Sequence, residues 1–238
     1  MIRAIFFDLD GTLLPMNEKE FTELYFSLLC KKAAAYGYQP DLLMKTVWQG
    51  TKRMYANDGK QTNEAVFWDA FVSVYGEEKR KDKAIFDAFY ADEFAQTAAC
   101  CKANPLAGPI VRFANENFPL TVLATNPIFP EIATLKRMSF VQLHQQDFAE
   151  ITTYENSRYC KPNPAYFKDL LEKFSLRPDE VVLFGNNEVE DGRCASSAGI
   201  RTYMVGDFII RDEKGEADFP HLNMNEVIPL MRRLKTEV

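Results

Sequence analysis

No stretch of the sequence approaches the roughly 20 consecutive apolar residues that cross a bilayer, which excludes an integral helical membrane protein. Glycine and proline number only 11 and 12 against an apolar content of 47%, so disorder is not the main state of the chain. Its cysteines are Cys30, Cys100, Cys101, Cys160 and Cys194. They form an odd, scattered set without CxxC spacing, which suits neither a disulfide framework nor a zinc site, and reduced thiols in the cytoplasm are the expectation. There are 28 basic and 34 acidic residues, for a net charge of -6. The basic runs are broken by acids, so no face suited to nucleic acid is expected. Asp8 and Asp10 interrupt the apolar N-terminal segment MIRAIFFDLDGTLLP, which therefore does not read as a signal peptide. No internal repeat or low-complexity segment is found, and nothing in the pattern sets an oligomeric state. What remains is ordinary globular composition, with 13% aromatic and 26% charged residues in a chain of 238, enough for one large domain or a core with a smaller module.

Short apolar runs bounded by turn signals mark strands buried on both faces. AIFF ends at the acidic turn DLDGT, Leu120–Ala124 precedes Thr125, Val181–Phe184 precedes Gly185, and Thr202–Val205 is a weaker fourth. Helical spacing joins Phe167, Leu170, Leu171 and Phe174, and again Val227, Leu230, Met231 and Leu234. Strands alternating with helices predict a doubly wound parallel sheet, a Rossmann-like α/β core. From Pro15 to Asn104 the pattern is helical throughout, with breaks at Gly37–Pro40, Asn57–Gly59 and Tyr75–Gly76, giving about four helices. Residues 1–14 and 105–238 are thus expected to form the core and 15–104 an inserted helical domain. An insertion after the first strand stands over the C-terminal edge of the sheet, where open α/β sheets bind ligands, and is placed to act as a lid.

The strand ends carry a distinctive set: Asp8-x-Asp10-Gly11-Thr12, Thr125-Asn126, and Gly185-Asn186-Asn187-Glu188-Val189-Glu190-Asp191, with Lys161-Pro162 between the last two. In a parallel sheet these ends converge on one crevice. A carboxylate at a strand end can attack an electrophile and form a covalent intermediate. A second carboxylate two residues on points to the same side and can give or take a proton. Gly11 allows a sharp turn that exposes amides to an anion, and Thr125 and Lys161 would complete the cradle. Clustered oxygen ligands with only two histidines suit a hard divalent cation.

FFDLDGT, LATN, KP and GNNEVED resemble the four ordered motifs of the haloacid dehalogenase-like hydrolase superfamily, and the helical insertion resembles that family's C1-type cap. The resemblance implies that Asp8 is the nucleophile and Asp10 the general acid and then base. It implies that Thr125 hydrogen-bonds the phosphoryl group, with Gly11, Thr12 and Asn126 as further binding residues, and that Lys161 stabilises charge. Mg2+ would be held by Asp8, Asp10, Asn186 and Asp191. Members that act on halides carry tyrosine where this chain has Asp10; a phosphate ester needs an acid there to expel an alkoxide, so Asp10 points to phosphoryl chemistry. One departure is Asn186, where the family usually has aspartate, which removes a charge and implies weaker metal binding. Glu188 and Glu190 are expected to face solvent, His144 and His221 to be ordinary, Cys100 and Cys101 to pack, and Trp48, Lys52, Arg53 and Tyr55 to belong to a helix with one core face. The implied activity is an Mg2+-dependent phosphatase acting on a small phosphorylated metabolite. A sugar phosphomutase and a degenerate phospho-ligand-binding protein are the alternatives.

Overall fold

The computed structural model describes residues 1–215 and 219–237. In chain order, β1 (Ala4–Phe7) is followed by α1 (Glu18–Ala34), α2 (Pro40–Tyr55), α3 (Asn63–Tyr75) and α4 (Lys83–Ala91). The first three helices start where the sequence supplies a start. Asn17 accepts the amides of Lys19 and Glu20 at the head of α1, Pro40 opens α2, and Thr62 accepts the Ala65 amide on α3. Short 3₁₀ turns over Glu77–Asp82 and Glu93–Cys100 fill the rest of this helical stretch. The chain then runs α5 (Ala107–Asn117), β2 (Leu120–Leu123), α6 (Glu131–Ser139), β3 (Glu150–Ile151), α7 (Ala165–Lys173), β4 (Val181–Gly185), α8 (Cys194–Ser197), β5 (Arg201–Val205), β6 (His221–Leu222) and α9 (Met224–Thr236).

The strands form one six-stranded parallel sheet in the order β3-β2-β1-β4-β5-β6, the doubly wound α/β architecture expected from the strand–helix alternation. Ile5, Phe7, Leu123, Val182 and Phe184 face one packed layer, and Ala4, Phe6, Val122, Val181 and Leu183 face the other. With both faces covered, no position needs to be polar, which is why these strands read as continuous apolar runs. The edge strands β3 and β6 have two residues each and escaped the sequence reading, since two residues carry no apolar pattern. Helices α5 and α9 pack on the first face, and α7 and α8 on the second.

The first layer continues without a break into the helical stretch. Phe21 and Tyr25 of α1 and Tyr90 of α4 pack with Phe129, which follows β2. Gly50 of α2 lies so close to α3 that a Cβ there would come within 2.6 Å of the Phe67 ring. Buried Asn63 ties the head of α3 to the loops beyond the sheet, donating from its side chain to the Pro127 carbonyl at 3.1 Å and from its amide to Ser157. The chain leaves and re-enters this part side by side: Met16 bridges Cys101, and the Lys102 amide donates to the Pro15 carbonyl. Among the described residues no helix is long and apolar enough to cross a membrane.

Candidate active site

Register brings the motif residues to one level. Phe7 pairs with Leu123 on one side and Phe184 on the other. The Asp8 amide donates to the Phe184 carbonyl at 2.8 Å, and the Ala124 amide donates to Phe7 at 2.7 Å. The next side chains, Asp8, Thr125 and Asn186, emerge together into a cleft between the sheet edge and the helices above it, which Asp10 and Asp191 also line.

Under the floor of that cleft lies Lys161, fully buried, donating to Asp8 Oδ1 at 2.8 Å and to Asp191 Oδ1. Burial opposes its charge, but the Asp191 and Asp8 carboxylates outweigh that and hold its pKa well above the ordinary value. Burial also pushes Asp8 up, to about 8, with Lys161 pulling against it and Asp191 and Asp10 adding to the rise. The Thr12 hydroxyl stands 3.1 Å from Asp8 Oδ2 and 3.3 Å from Asn186 Oδ1. It has one proton, so one of those oxygens stays available. Asn186 is oriented by its amide group, which donates to the Phe208 carbonyl. Gly11, at φ +80°, packs directly against it, and a Cβ would fall 2.1 Å from the Asn186 nitrogen.

Asp10 has a partner the sequence did not reveal. Arg137 of α6, buried, forms an ion pair with Asp10 Oδ2, donates to Thr134 at 3.2 Å, and lies 4.5 Å over the Phe129 ring. Asp10 Oδ1 is buried and has no hydrogen-bond partner among the described residues. Burial raises the Asp10 pKa, against the pull of Arg137 and Lys161. A carboxyl group that lines the cleft, is held through one oxygen by Arg137 and has a raised pKa is suited to carry a proton.

Several expected roles change. The Gly11 amide donates to the Leu14 carbonyl and the Thr12 amide to Leu9, so these donors close the turn instead of pointing at an anion. Thr12 acts through its hydroxyl on Asp8 and Asn186. Asn126 is engaged internally: its oxygen accepts the Lys161 amide, and its nitrogen donates to Glu190 and the Lys161 carbonyl. It positions Lys161. Thr125 lines the cleft as expected, while its carbonyl accepts from Thr152 and Tyr166. Both Asp191 oxygens accept hydrogen bonds, Oδ1 from Lys161 and Oδ2 from the amides of Asn186 and Asn187; Asp191 therefore supports the lysine and the loop, and its Oδ1 keeps a lone pair beyond the one that Lys161 takes. Glu188 is buried away from the cleft, bonded to Arg211, the Asp212 amide and His221. His221 thus has a structural partner. Glu190 turns inward, accepting from Tyr55 at 3.1 Å and from Asn126 at 2.9 Å, and burial raises its pKa. Both expected solvent-facing readings fail because this segment, Glu188–Arg193, forms a π-helical turn that folds its acids into the protein. Trp48 and Tyr55 line the cleft; their neighbours Lys52 and Arg53 are not part of its wall. Glu18 at the head of α1 also faces it, with a pKa raised to about 7 by burial and by Glu190 and Asp10.

Among the described residues no group of three or more His, Cys, Asp or Glu side chains is placed to hold a metal ion. The oxygens gathered here are the Asp8 carboxylate, the Asn186 side-chain carbonyl beside it and the adjoining backbone. That set fits a hard cation that keeps most of its waters and takes one or two carboxylates. It does not fit zinc, for which nitrogen and sulfur ligands are the rule.

Residues 2–199 match the family model for haloacid dehalogenase-like hydrolases. A glyceraldehyde 3-phosphate phosphatase from Methanothermobacter thermautotrophicus is 21% identical over 94% of this chain and 92% of its own length. A haloacid dehalogenase-like hydrolase domain-containing protein 3 from Danio rerio is 38% identical, over 24% of each chain only. Among solved structures, a 2-haloacid dehalogenase from Pseudomonas syringae pv. Tomato superposes over 98% of this chain and 100% of that one, with a TM-score of 0.65 and 19% identity, which establishes a common fold. With the motif residues assembled at the strand ends and a family match spanning most of its length, the chain belongs to the haloacid dehalogenase-like hydrolases.

Proposed function

We propose that this hydrolase is an Mg2+-dependent phosphatase acting on a small phosphomonoester through an aspartyl-phosphate on Asp8, with residues 15–104 as the cap over its site. The observation that carries the reading is Asp10: its carboxyl lines the cleft, is held by Arg137, has no partner on its second oxygen among the described residues, and has a raised pKa. Expelling a halide needs no proton donor, whereas expelling an alkoxide does, and a positioned acid contributes roughly 10²–10⁴-fold. The 2-haloacid dehalogenase shares the fold, so the fold does not choose between the chemistries, and Asp10 carries the choice for this chain.

An Asp8 oxygen forms a bond to phosphorus as the bond from phosphorus to the ester oxygen breaks, and Asp10 gives its proton to the departing alkoxide. Asp10, now a carboxylate, takes a proton from water as that water attacks phosphorus. The bond to Asp8 breaks, releasing inorganic phosphate and regenerating the pair. Lys161 holds Asp8 and offsets negative charge beneath the phosphoryl group, and the hydroxyl of Thr125, which lines the same cleft, donates to it. The Asp8 carboxylate, the Asp10 backbone carbonyl and Asn186 would hold the cation. When bound it supplies positive charge against the phosphoryl oxygens and lowers the Asp8 pKa, keeping the nucleophile ionised.

The test is phosphate release from a panel of phosphomonoesters, with Mg2+ titrated from zero, beside Asp8→Asn. Turnover that requires Mg2+ and disappears in the variant is expected. Turnover that persists in Asp8→Asn, or a folded wild-type protein inert toward every ester, overturns the reading.

A further inference from the structure

The cleft above Asp8 and Asp10 has an unusual wall for a site that takes an anion. On the side of the helical insertion it is built from rings: Tyr25, Trp48, Tyr55, Trp68, Phe86 and Tyr90 all line it. Trp48 is 48% exposed, tilted against Phe26 with ring centroids 5.4 Å apart, and Tyr55 is 37% exposed beside it. Large apolar surfaces left open at the mouth of a cleft mark a place where something apolar docks.

The charges of the wall point the same way. Arg137 is the only cationic side chain lining the cleft among the described residues. Its guanidinium is already committed to Asp10 and Thr134 and stacked over Phe129. Lys161 lies beneath Asp8, engaged by two carboxylates. The remaining charged groups away from the floor are acids, Glu18 and Glu190. A substrate bearing a second phosphate or a carboxylate would find no free cation for it in this wall. The space, about 190 Å³, is comparable to the roughly 150 Å³ of an apolar cavity that holds benzene.

From this juxtaposition of an aromatic wall with an acidic rim lacking a free cation, we infer that the substrate is a phosphomonoester of an uncharged, ring-bearing alcohol. The inference rests on the phosphatase reading above and sharpens it. The phosphoryl group sits over Asp8 and the ring lies against the exposed faces of Trp48 and Tyr55. Bisphosphates and phosphorylated carboxylic acids are disfavoured because no cation in the wall is left to meet their second anionic group.

Both tryptophans of the chain line the cleft, so intrinsic fluorescence reports its occupancy without any turnover. Phenyl phosphate and 2-phosphoglycolate are titrated into the Asp8→Asn protein while tryptophan emission is followed. Phenyl phosphate is expected to bind at least about tenfold more tightly, the scale of burying one face of a ring. Trp48→Ala, at a half-exposed position, should remove most of that preference. Thr51→Arg, which adds a cation to the wall, should raise affinity for 2-phosphoglycolate. In the wild type, kcat/KM for phenyl phosphate should exceed that for glyceraldehyde 3-phosphate and 2-phosphoglycolate by a similar factor. Acetyl phosphate, whose acyl group is too small to reach the rings, separates the two claims. If it is hydrolysed while 2-phosphoglycolate binds as well as phenyl phosphate, the substrate inference is overturned and the phosphatase reading stands. If nothing is hydrolysed but ring-selective binding is seen, the phosphatase reading falls and the ligand class of the cleft is upheld. Absence of phenyl phosphate binding overturns the inference.

Discussion

Arg137 brings a positive charge into the interior, where an unpaired ion would cost several kcal/mol, and meets it with Asp10. Because Asp10 Oδ1 has no partner among the described residues, this one contact fixes the rotation of the carboxyl group. Arg137→Gln should therefore lower kcat by about 10²-fold with little change in KM, the scale of misplacing a reacting group by about 1 Å. Arg137→Lys, which keeps the charge but loses the fork that also reaches Thr134, should recover only part of it. A change confined to KM, measured by steady-state kinetics on phenyl phosphate, would count against a positioning role. A second prediction concerns Asn186, whose oxygen adjoins Asp8 through Thr12. Asn186→Asp adds a charge to the oxygen set, so the Mg2+ concentration for half-maximal activity should fall by about tenfold; an unchanged activation curve would mean Asn186 is not a ligand. Much of this site was legible in the sequence, because Asp8, Asp10, Thr125 and Asn186 follow within three residues of the ends of β1, β2 and β4, where parallel register gathers them, while Lys161, in the turn before α7, was legible only through its place among the ordered motifs. Arg137 was not, since it lies 127 positions from Asp10 on a helix whose periodicity marks it only as another residue. The roles of Asn126, Asp191 and Glu190 were hidden because they depend on where hydrogen bonds go after the loop folds, and on a π-helical turn that changes which residues face inward.

Helix boundaries within the insertion were readable from the breaks between them, since Pro40 and Gly76 act through local backbone geometry alone. How those helices are joined was not, since it depends on buried polar contacts between distant segments. Asp82 is one such joint: it accepts from Tyr38 at 2.7 Å and from Lys79 at 2.8 Å, linking the loop before α2 to the turn before α4. Burial pushes its pKa up, but the hydrogen bonds from Lys79 and Tyr38 outweigh that and hold it below the ordinary value. A depressed native pKa means that the ionised group stabilises the fold above the unfolded-state pKa of about 3.9. That contribution is lost as pH falls through the lower native value. Asp82→Asn should cost about 1–2 kcal/mol at neutral pH, the worth of hydrogen bonds to a charged group. The difference in Tm between wild type and variant should narrow as the pH is lowered toward 3. A gap that stays constant across that range would show that the contribution does not depend on ionisation.

At the scale of the whole molecule, the helical insertion and the sheet are separate in sequence pattern but share one apolar layer. Tyr25 and Tyr90 meet Phe129 edge to face, and Phe7, Leu123 and Phe184 belong to the same contiguous cluster. Asn63, with no exposed surface, adds side-chain hydrogen bonds to Pro127 and Cys160 across the junction. Tyr55, Glu190 and Asn126 form a third connection at the rim of the cleft. Contacts of this kind couple the two parts energetically, so they should unfold together despite the division in the sequence. Trp48 and Trp68 both belong to the insertion, whereas far-UV circular dichroism reports on every helix and strand. Urea unfolding followed by the two signals should give coincident transitions with one midpoint and one m-value. Asn63→Ala leaves buried groups unsatisfied and should lower that shared midpoint by an amount equivalent to about 1–3 kcal/mol. If the fluorescence transition precedes the other in the wild type, the insertion is an independently melting unit, and its closure over Asp8 is then held by the rim contacts rather than by the common core. If the two signals coincide in the wild type and separate in Asn63→Ala, the junction itself supplies the cooperativity. Opening of the cleft would then have to pivot at the paired crossings, Met16 against Cys101 and Pro15 against Lys102, the backbone contacts that can persist while the aromatic layer parts.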